Sequence, residues 1–75
     1  MKSPDEFFKE FKKGLALARK KHPDYAAGAH DAVDVIKCEV EELEHAVDHE
    51  SEERQRSEAM DVVITAARLW IGEAG

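Results

Sequence analysis

The residues best suited to chemistry are two acidic pairs, Glu39 with Glu42 and Glu58 with Asp61, each separated by two positions. In a helix, side chains three positions apart lie on the same face. Two such helices packed side by side would bring four carboxylates into one small volume, where they repel one another unless a cation lies among them. Carboxylate oxygens are the ligands that hard divalent cations prefer in proteins. The spacing therefore predicts a metal site.

The elements that must position these acids are predicted to be helices. Ser3 begins the first with a capping-box sequence, and Pro23 interrupts it because proline disfavours helix at the preceding residue. Ser51 suits the start of a third helix and Gly72 suits its end. Apolar residues recur at spacings of three and four, and no alternating strand pattern is present. We predict one all-α domain spanning residues 1–75, with helices at about residues 4–21, 24–47 and 52–71.

The second predicted helix carries an acid on its apolar side. At about 100° per residue, Glu39 falls in the middle of the apolar stripe and Glu42 falls at its edge. Glu41 and Glu44 point away and are predicted to be surface charges. Burying an acid on a core-facing stripe is unfavourable unless the acid is paired or bound to metal. This placement favours Glu39 and Glu42 as the functional pair.

The third predicted helix is apolar around most of its circumference from Met60 onward, and such a helix is expected at the centre of a bundle. Ion pairs offer a structural alternative to metal binding, because Asp61 could pair with an arginine of its own helix and Glu39 with a lysine of the first. Two acidic pairs on facing apolar helices favour the metal. The polar residues of this helix form one narrow stripe that is expected to line a cleft: Arg54, Glu58, Asp61, Thr65 and Arg68.

The acidic motifs and the residues around them resemble a known family. Glu39-x-x-Glu42-Leu43-x-x-Ala46-Val47, followed by Glu58-x-x-Asp61-Val62-Val63, is similar to the E-x-x-E…E-x-x-D signature of the MazG-like, all-α nucleoside triphosphate pyrophosphohydrolases. The likeness covers about residues 30–70. It implies a helical bundle whose four acids hold Mg²⁺ or Mn²⁺. It also implies cleavage of an NTP or dNTP to the monophosphate and pyrophosphate.

The resemblance further implies roles for particular residues. The metal ligands and catalytic residues would be Glu39, Glu42, Glu58 and Asp61. Among them, Glu39 is preferred as the acceptor of a proton from the attacking water. The cations expected to contact substrate phosphates are Lys37, Arg54, Arg68 and the lysines of the first helix, Lys12 among them. The aromatic candidates for a slot that holds the base are Phe7, Phe8, Phe11 and Trp70.

The length of the chain predicts assembly with further copies. Seventy-five residues lie at the size where a single hydrophobic core is marginal. Members of the family commonly continue beyond the E-x-x-D helix, whereas this chain stops at Gly75. Three helices do not close a four-helix arrangement. We therefore expect a homodimer or homotetramer in which partner subunits complete the core and the site.

Charge and composition limit the classes of partner. The net charge of −6 argues against a nucleic-acid polymer as the main partner. No apolar run approaches the roughly 20 residues of a membrane span. The charge is uneven, because residues 1–22 carry +4 and the remainder carries −10. Cys38 is the only cysteine and the N-terminal segment is charged throughout, so a cytoplasmic location is expected.

Three alternatives to this enzyme stay open in the sequence. Glu42-x-x-His45 matches the E-x-x-H step of di-iron carboxylate bundles, of which a homodimer would supply two copies. The helical projection disfavours it, because His45 lies further from the core than Glu42. A non-catalytic helical module would instead bind a partner through the apolar surface of the third helix. A minimal relative of the family would bind metal without turnover.

Overall fold

The computed structural model describes all 75 residues and consists of three α-helices. Helix α1 runs Pro4–Lys21, α2 runs Ala29–His49 and α3 runs Glu52–Ile71. No strand is present, and the one backbone bridge outside the helices joins Ala26 to Ala74. The prediction of an all-α fold is confirmed. None of the three helices is both long enough and apolar enough to cross a membrane.

Helices α1 and α3 have the bounds that their capping residues predict. The Ser3 hydroxyl accepts a hydrogen bond from the Glu6 backbone N–H at 3.1 Å, and the Glu6 carboxylate accepts one from the Ser3 N–H. The Ser51 hydroxyl accepts a hydrogen bond from the backbone N–H of Arg54. Gly72 ends α3 in the left-handed conformation, at φ 98°, which glycine adopts without strain.

Helix α2 begins later than predicted, at Ala29 rather than near Asp24. Gly28 precedes the helix in a fully extended conformation and offers no side-chain cap. The Tyr25 hydroxyl donates a hydrogen bond to the backbone carbonyl of Thr65 in α3, at 2.6 Å. This tertiary contact holds the connection between α1 and α2 against α3. The weak helix propensity of Gly28 is consistent with a non-helical conformation of this connection.

Helix α3 lies at the centre of the fold, as its apolar sequence predicts. Both α1 and α2 pack against it, whereas the backbones of α1 and α2 do not approach each other. At Gly14, α1 lies so close to α3 that an added Cβ atom would be 2.5 Å from Cδ1 of Ile64. Helices α1 and α2 therefore both pack on α3, and a groove lies between them.

The buried core of one chain is very small. Only three apolar residues are buried, Ala32 and Ala46 of α2 and Ile64 of α3. Large apolar side chains remain exposed, among them Trp70 at 88% and Leu17 at 58%. Because α3 has only two neighbours, part of its apolar circumference faces solvent.

The residues after α3 fold back and join it to α1. The Glu73 carboxylate accepts hydrogen bonds from Arg19 of α1 and, at 2.8 Å, from Arg68 of α3. The hydrogen bond from Arg19 is the largest cause that holds the pKa of Glu73 below its ordinary value. The Gly75 N–H donates to the carbonyl oxygen of Ala26 at 2.8 Å. The C-terminal residues thus connect α3 to α1 and to the segment that precedes α2.

We expect Glu73→Ala to lower the free energy of unfolding by about 2 kcal/mol, because it leaves the buried Arg68 cation without its carboxylate partner. Glu44→Ala is the matched control, since Glu44 is an exposed acid of α2 without an ion pair. Its expected effect stays below about 0.5 kcal/mol. Urea denaturation followed by circular dichroism measures both values. Equal effects of the two variants would contradict a stabilising role for the C-terminal ion pairs.

Candidate metal centre

The packing of α2 on α3 brings together three of the four predicted carboxylates. One oxygen from each of Glu39, Glu58 and Asp61 lies within 4.8 Å of the other two. Glu58 is 7% exposed, Glu39 is half-buried and Asp61 is exposed. Carboxylate oxygens gathered in this way form the kind of ligand set that Mg²⁺ and Mn²⁺ prefer. We call these residues the carboxylate trio.

Two oxygens of the trio are buried and have no hydrogen-bond partner, Oε2 of Glu39 and Oε2 of Glu58. Buried polar atoms in folded proteins are normally paired, and an unpaired one is unfavourable by about 1–3 kcal/mol, more when charged. Arg54 compensates only in part, because it donates to the other oxygen of Glu58, Oε1, at 2.5 Å. The ion pair with Arg54 therefore provides a partner for Oε1 of Glu58. It provides none for Oε2 of Glu58 or for Oε2 of Glu39.

Asp61 and Glu39 form none of the ion pairs that the sequence offers as alternatives. Asp61 pairs with neither Arg54 nor Arg68, and Glu39 pairs with no lysine of α1. The Asp61 backbone carbonyl accepts a hydrogen bond from the Thr65 hydroxyl at 2.6 Å, which leaves the Asp61 carboxylate available.

Burial raises the pKa of every carboxyl in the trio. For Glu39, burial is the largest cause, followed by the charge of Glu42 and a hydrogen bond that the two carboxyls share when one is protonated, and together these raise its pKa to about 7. Burial and the charge of Asp61 raise the pKa of Glu58. Although Asp61 as a whole is exposed, the protein around its carboxyl displaces solvent, and this and the charge of Glu42 raise its pKa. The cations Arg54 and Lys21 oppose the rise. A bound cation would oppose all of these shifts, because it favours the ionised carboxylates.

Glu42 lies beside the trio rather than within it. It is exposed and lines a surface pocket of about 690 Å³ together with Glu58 and Arg54. Its charge still contributes to the raised pKa of Glu39, so the two carboxyls of α2 are close neighbours. The position matches the sequence projection, which places Glu42 at the edge of the apolar stripe rather than in its middle.

The geometry gives no support to the di-iron alternative. His45 lies outside the carboxylate trio. Its ring packs instead against the ring of His49, one helical turn further along α2, with the centroids 4.9 Å apart. His45 lines the smaller pocket with Glu42, Glu50 and Glu58, but its ring nitrogens do not join the converging carboxylate oxygens of the trio.

A groove of about 1520 Å³ opens beside the trio and is lined by residues of all three helices. Glu39 and Asp61 line this groove, whereas Glu58 lines the smaller pocket. Lys13 and Lys21 of α1 line the groove as well. Its volume exceeds the roughly 300–1,000 Å³ of a typical ligand pocket. A small molecule alone would not fill it.

The two arginines predicted to contact phosphates are engaged in other interactions. Arg68 is buried, pairs with Glu73 and lies over the ring of Tyr25, 4.7 Å from its centroid. Arg54 pairs with Glu50 and with Glu58. The helical projection places Arg54 and Glu58 on one face of α3, where they pair. It does not reveal the partner of Arg68, because Glu73 lies beyond the end of the helix.

Of the lysines expected to contact phosphates, two in the first helix line the groove, but neither Lys12 nor Lys37 does. Lys12 and Lys37 are exposed and line neither the groove nor the smaller pocket. Lys13 and Lys21 line the groove instead. They lie near the face on which Gly14 approaches α3, and the spacing of eight residues puts both lysines on one side of α1. A glycine within a helix can mark such a close approach, so Gly14 is a sequence signal for this face. Only the packing shows which lysines border the groove.

Among the predicted aromatic residues, only Phe7 lines the groove. Its ring stacks on Phe11, with the centroids 5.9 Å apart. Phe8 and Trp70 are exposed and lie outside the groove. Tyr25, which the sequence does not single out, lines it and is held by its hydrogen bond to α3.

Comparisons of the chain with protein-family models, with curated proteins and with solved structures find no match. The likeness to MazG-like enzymes therefore rests on the two acidic motifs and the residues that flank them.

Proposed function

We propose that Glu39, Glu58 and Asp61 bind one divalent cation, Mg²⁺ or Mn²⁺, with Glu42 assisting from the edge of the site. The observation that carries this proposal is the pair of buried, unpartnered oxygens on Glu39 and Glu58, next to the Asp61 carboxylate. A cation is the simplest partner for three carboxylates whose pKa values are all raised.

We further propose that the chain is a nucleoside triphosphate pyrophosphohydrolase. The order E-x-x-E…E-x-x-D supports this, and so does a groove that Glu39 and Asp61 line together with Lys13 and Lys21. The metal would neutralise the triphosphate and lower the pKa of the attacking water. Glu39 is suited to accept that water's proton, because its carboxylate lines the groove. The water oxygen bonds to the α-phosphorus, the bond to the bridging oxygen breaks, and pyrophosphate leaves with the monophosphate as the second product.

A homodimer or homotetramer is part of this proposal. Only three apolar residues are buried in one chain, and the groove is larger than a nucleotide requires. A second copy that covered part of the groove would supply the missing apolar burial and exclude water from the site.

A non-catalytic helical interaction module is the second candidate function. The observation that favours it is the exposed apolar surface near the end of α3, where Trp70 is 88% and Ile71 46% exposed. Exposed aromatic residues of this kind are common at protein–protein interfaces. This candidate predicts a partner-binding surface and no dependence on divalent metal.

Incubation with a panel of NTPs and dNTPs in Mg²⁺, with detection of pyrophosphate, separates these functions. The expected result is release from at least one nucleotide, stopped by EDTA. Metal binding without release would identify the minimal metal-binding relative. Neither release nor a metal-dependent change in melting temperature would leave the interaction module.

A further inference from the structure

One side of α1 places two lysines in the groove beside the carboxylate trio. Lys13, Leu17 and Lys21 are four residues apart, so they lie along one stripe of the helix, and all three line the groove. Neither lysine forms an ion pair with a carboxylate. Both ammonium groups are therefore available to a ligand.

Lys21 is the lysine on the face of α1 that packs against α3, since it lies seven residues, or two helical turns, after Gly14. It lines the groove together with Asp61 of the trio. No ion pair joins the Lys21 and Asp61 side chains. The groove thus presents a carboxylate and an ammonium group to the same space without contact between them.

This arrangement suits a polyphosphate better than it suits any neutral ligand. Phosphate oxygens bridge a carboxylate-bound divalent cation to a cationic side chain, because each phosphate carries negative charge that both can neutralise. A lysine on the far side of the phosphate chain would also stabilise the charge that develops on the pyrophosphate as it leaves.

We propose that the Lys21 ammonium group binds the phosphate chain of the substrate, in the groove that Glu39 and Asp61 also line. This inference rests on the proposed nucleotide chemistry of the same site. Lys21 is one of the first-helix lysines that the sequence favours. The favoured cations Lys12, Lys37, Arg54 and Arg68 either pair with carboxylates or lie outside the groove. No acid of the groove forms an ion pair with Lys21: Glu6 pairs with Lys2, and the other lining acids outside the trio, Glu10, Asp24, Glu52 and Glu53, form no ion pair.

Lys21→Gln tests this role, with Lys20→Gln as the matched control. Lys20 is the adjacent residue, is exposed and does not line the groove, so both changes remove one positive charge from the same turn of α1. We expect Lys21→Gln to reduce kcat/KM for the best nucleotide by about 10- to 100-fold. Lys20→Gln should stay within about twofold of the wild type, and Lys21→Arg should recover part of the loss. Equal values for the two glutamine variants would overturn the inference.

Calorimetric titration with Mg²⁺–tripolyphosphate separates failure of this inference from failure of the proposed reaction. If no nucleotide is hydrolysed, the reaction is wrong, but weaker tripolyphosphate binding by Lys21→Gln than by Lys20→Gln still supports the phosphate contact. Equal binding by both variants, or no binding by the wild type, contradicts it. The melting-temperature response to Mg²⁺ alone should be the same in all three proteins, since Lys21 contacts phosphate rather than metal.

Discussion

Asp61→Asn is expected to reduce pyrophosphate release by at least about 100-fold while the helical content stays unchanged. Asparagine keeps the size and one oxygen of the side chain but removes the negative charge. The trio would then offer two carboxylates instead of three, so both the affinity for the cation and the neutralisation of the phosphates would fall. The Thr65 hydroxyl bonds to the Asp61 backbone, so that hydrogen bond survives the change.

Glu44→Gln is the matched control for this experiment. Glu44 is an exposed acid of α2 that lines neither the groove nor the smaller pocket. The change removes the same single charge from the chain, and activity should remain within about twofold of the wild type. Far-ultraviolet circular dichroism checks that both variants are folded. If Asp61→Asn retained wild-type turnover at saturating Mg²⁺, the trio could not be the catalytic metal site.

Without divalent metal, the protein is expected to lose stability as the pH rises from about 4.5 to about 7. The pKa of Glu39 is 4.5 when unperturbed and rises to about 7 in the folded chain. Over that interval the folded state binds more protons than the unfolded state, so the free energy of unfolding decreases with increasing pH. The raised pKa values of Glu58 and Asp61 act in the same direction. Glu73 has a lowered pKa, and its stabilising contribution is lost only at lower pH.

We expect this loss to be about 1–3 kcal/mol, allowing for partial exposure of the site. Urea denaturation in EDTA at several pH values between 5 and 8 measures it. Glu39→Gln removes the main titrating group, so this variant should be more stable than the wild type in EDTA at pH 7.5 and should show a weaker pH dependence. A wild-type stability that stayed level or rose across the interval would contradict the electrostatic account of the trio.

The helix bounds that the sequence predicts well are those set by local chemistry. Ser3 and Ser51 cap α1 and α3 through hydrogen bonds to residues three positions away, and Gly72 ends α3 in a conformation that favours glycine. Before α2, the Ala27 N–H donates a hydrogen bond to the Asp31 carboxylate. The Tyr25 hydroxyl bonds to the Thr65 carbonyl, forty positions further along the chain. The helix propensities of neighbouring residues do not predict such a long-range hydrogen bond.

For the candidate site as well, the sequence predicts the residues that helical periodicity places and misses those that tertiary packing places. Helical periodicity places Glu39 on the apolar face of α2 and Glu58 with Asp61 on the polar stripe of α3, and the structure brings these three together. It also places Glu42 at the edge, where the structure has it. The pairing of Arg19 and Arg68 with Glu73 depends on the residues after Gly72, and which lysines border the groove depends on how α1 packs. Helical periodicity describes neither. The sequence therefore predicts the acids better than it predicts the cations.

The most direct test of the carboxylate trio is the melting temperature in EDTA compared with that in Mg²⁺, at pH 7.5 and constant ionic strength. A ligand present at a hundred times its dissociation constant stabilises the folded state by about 2.7 kcal/mol. For a domain of this size, that corresponds to a rise of roughly 10 °C or more. We predict such a rise for the wild type and its loss in Glu58→Gln, whereas Glu44→Gln should respond like the wild type. No rise in the wild type, or an equal rise in Glu58→Gln, would contradict metal binding by the trio.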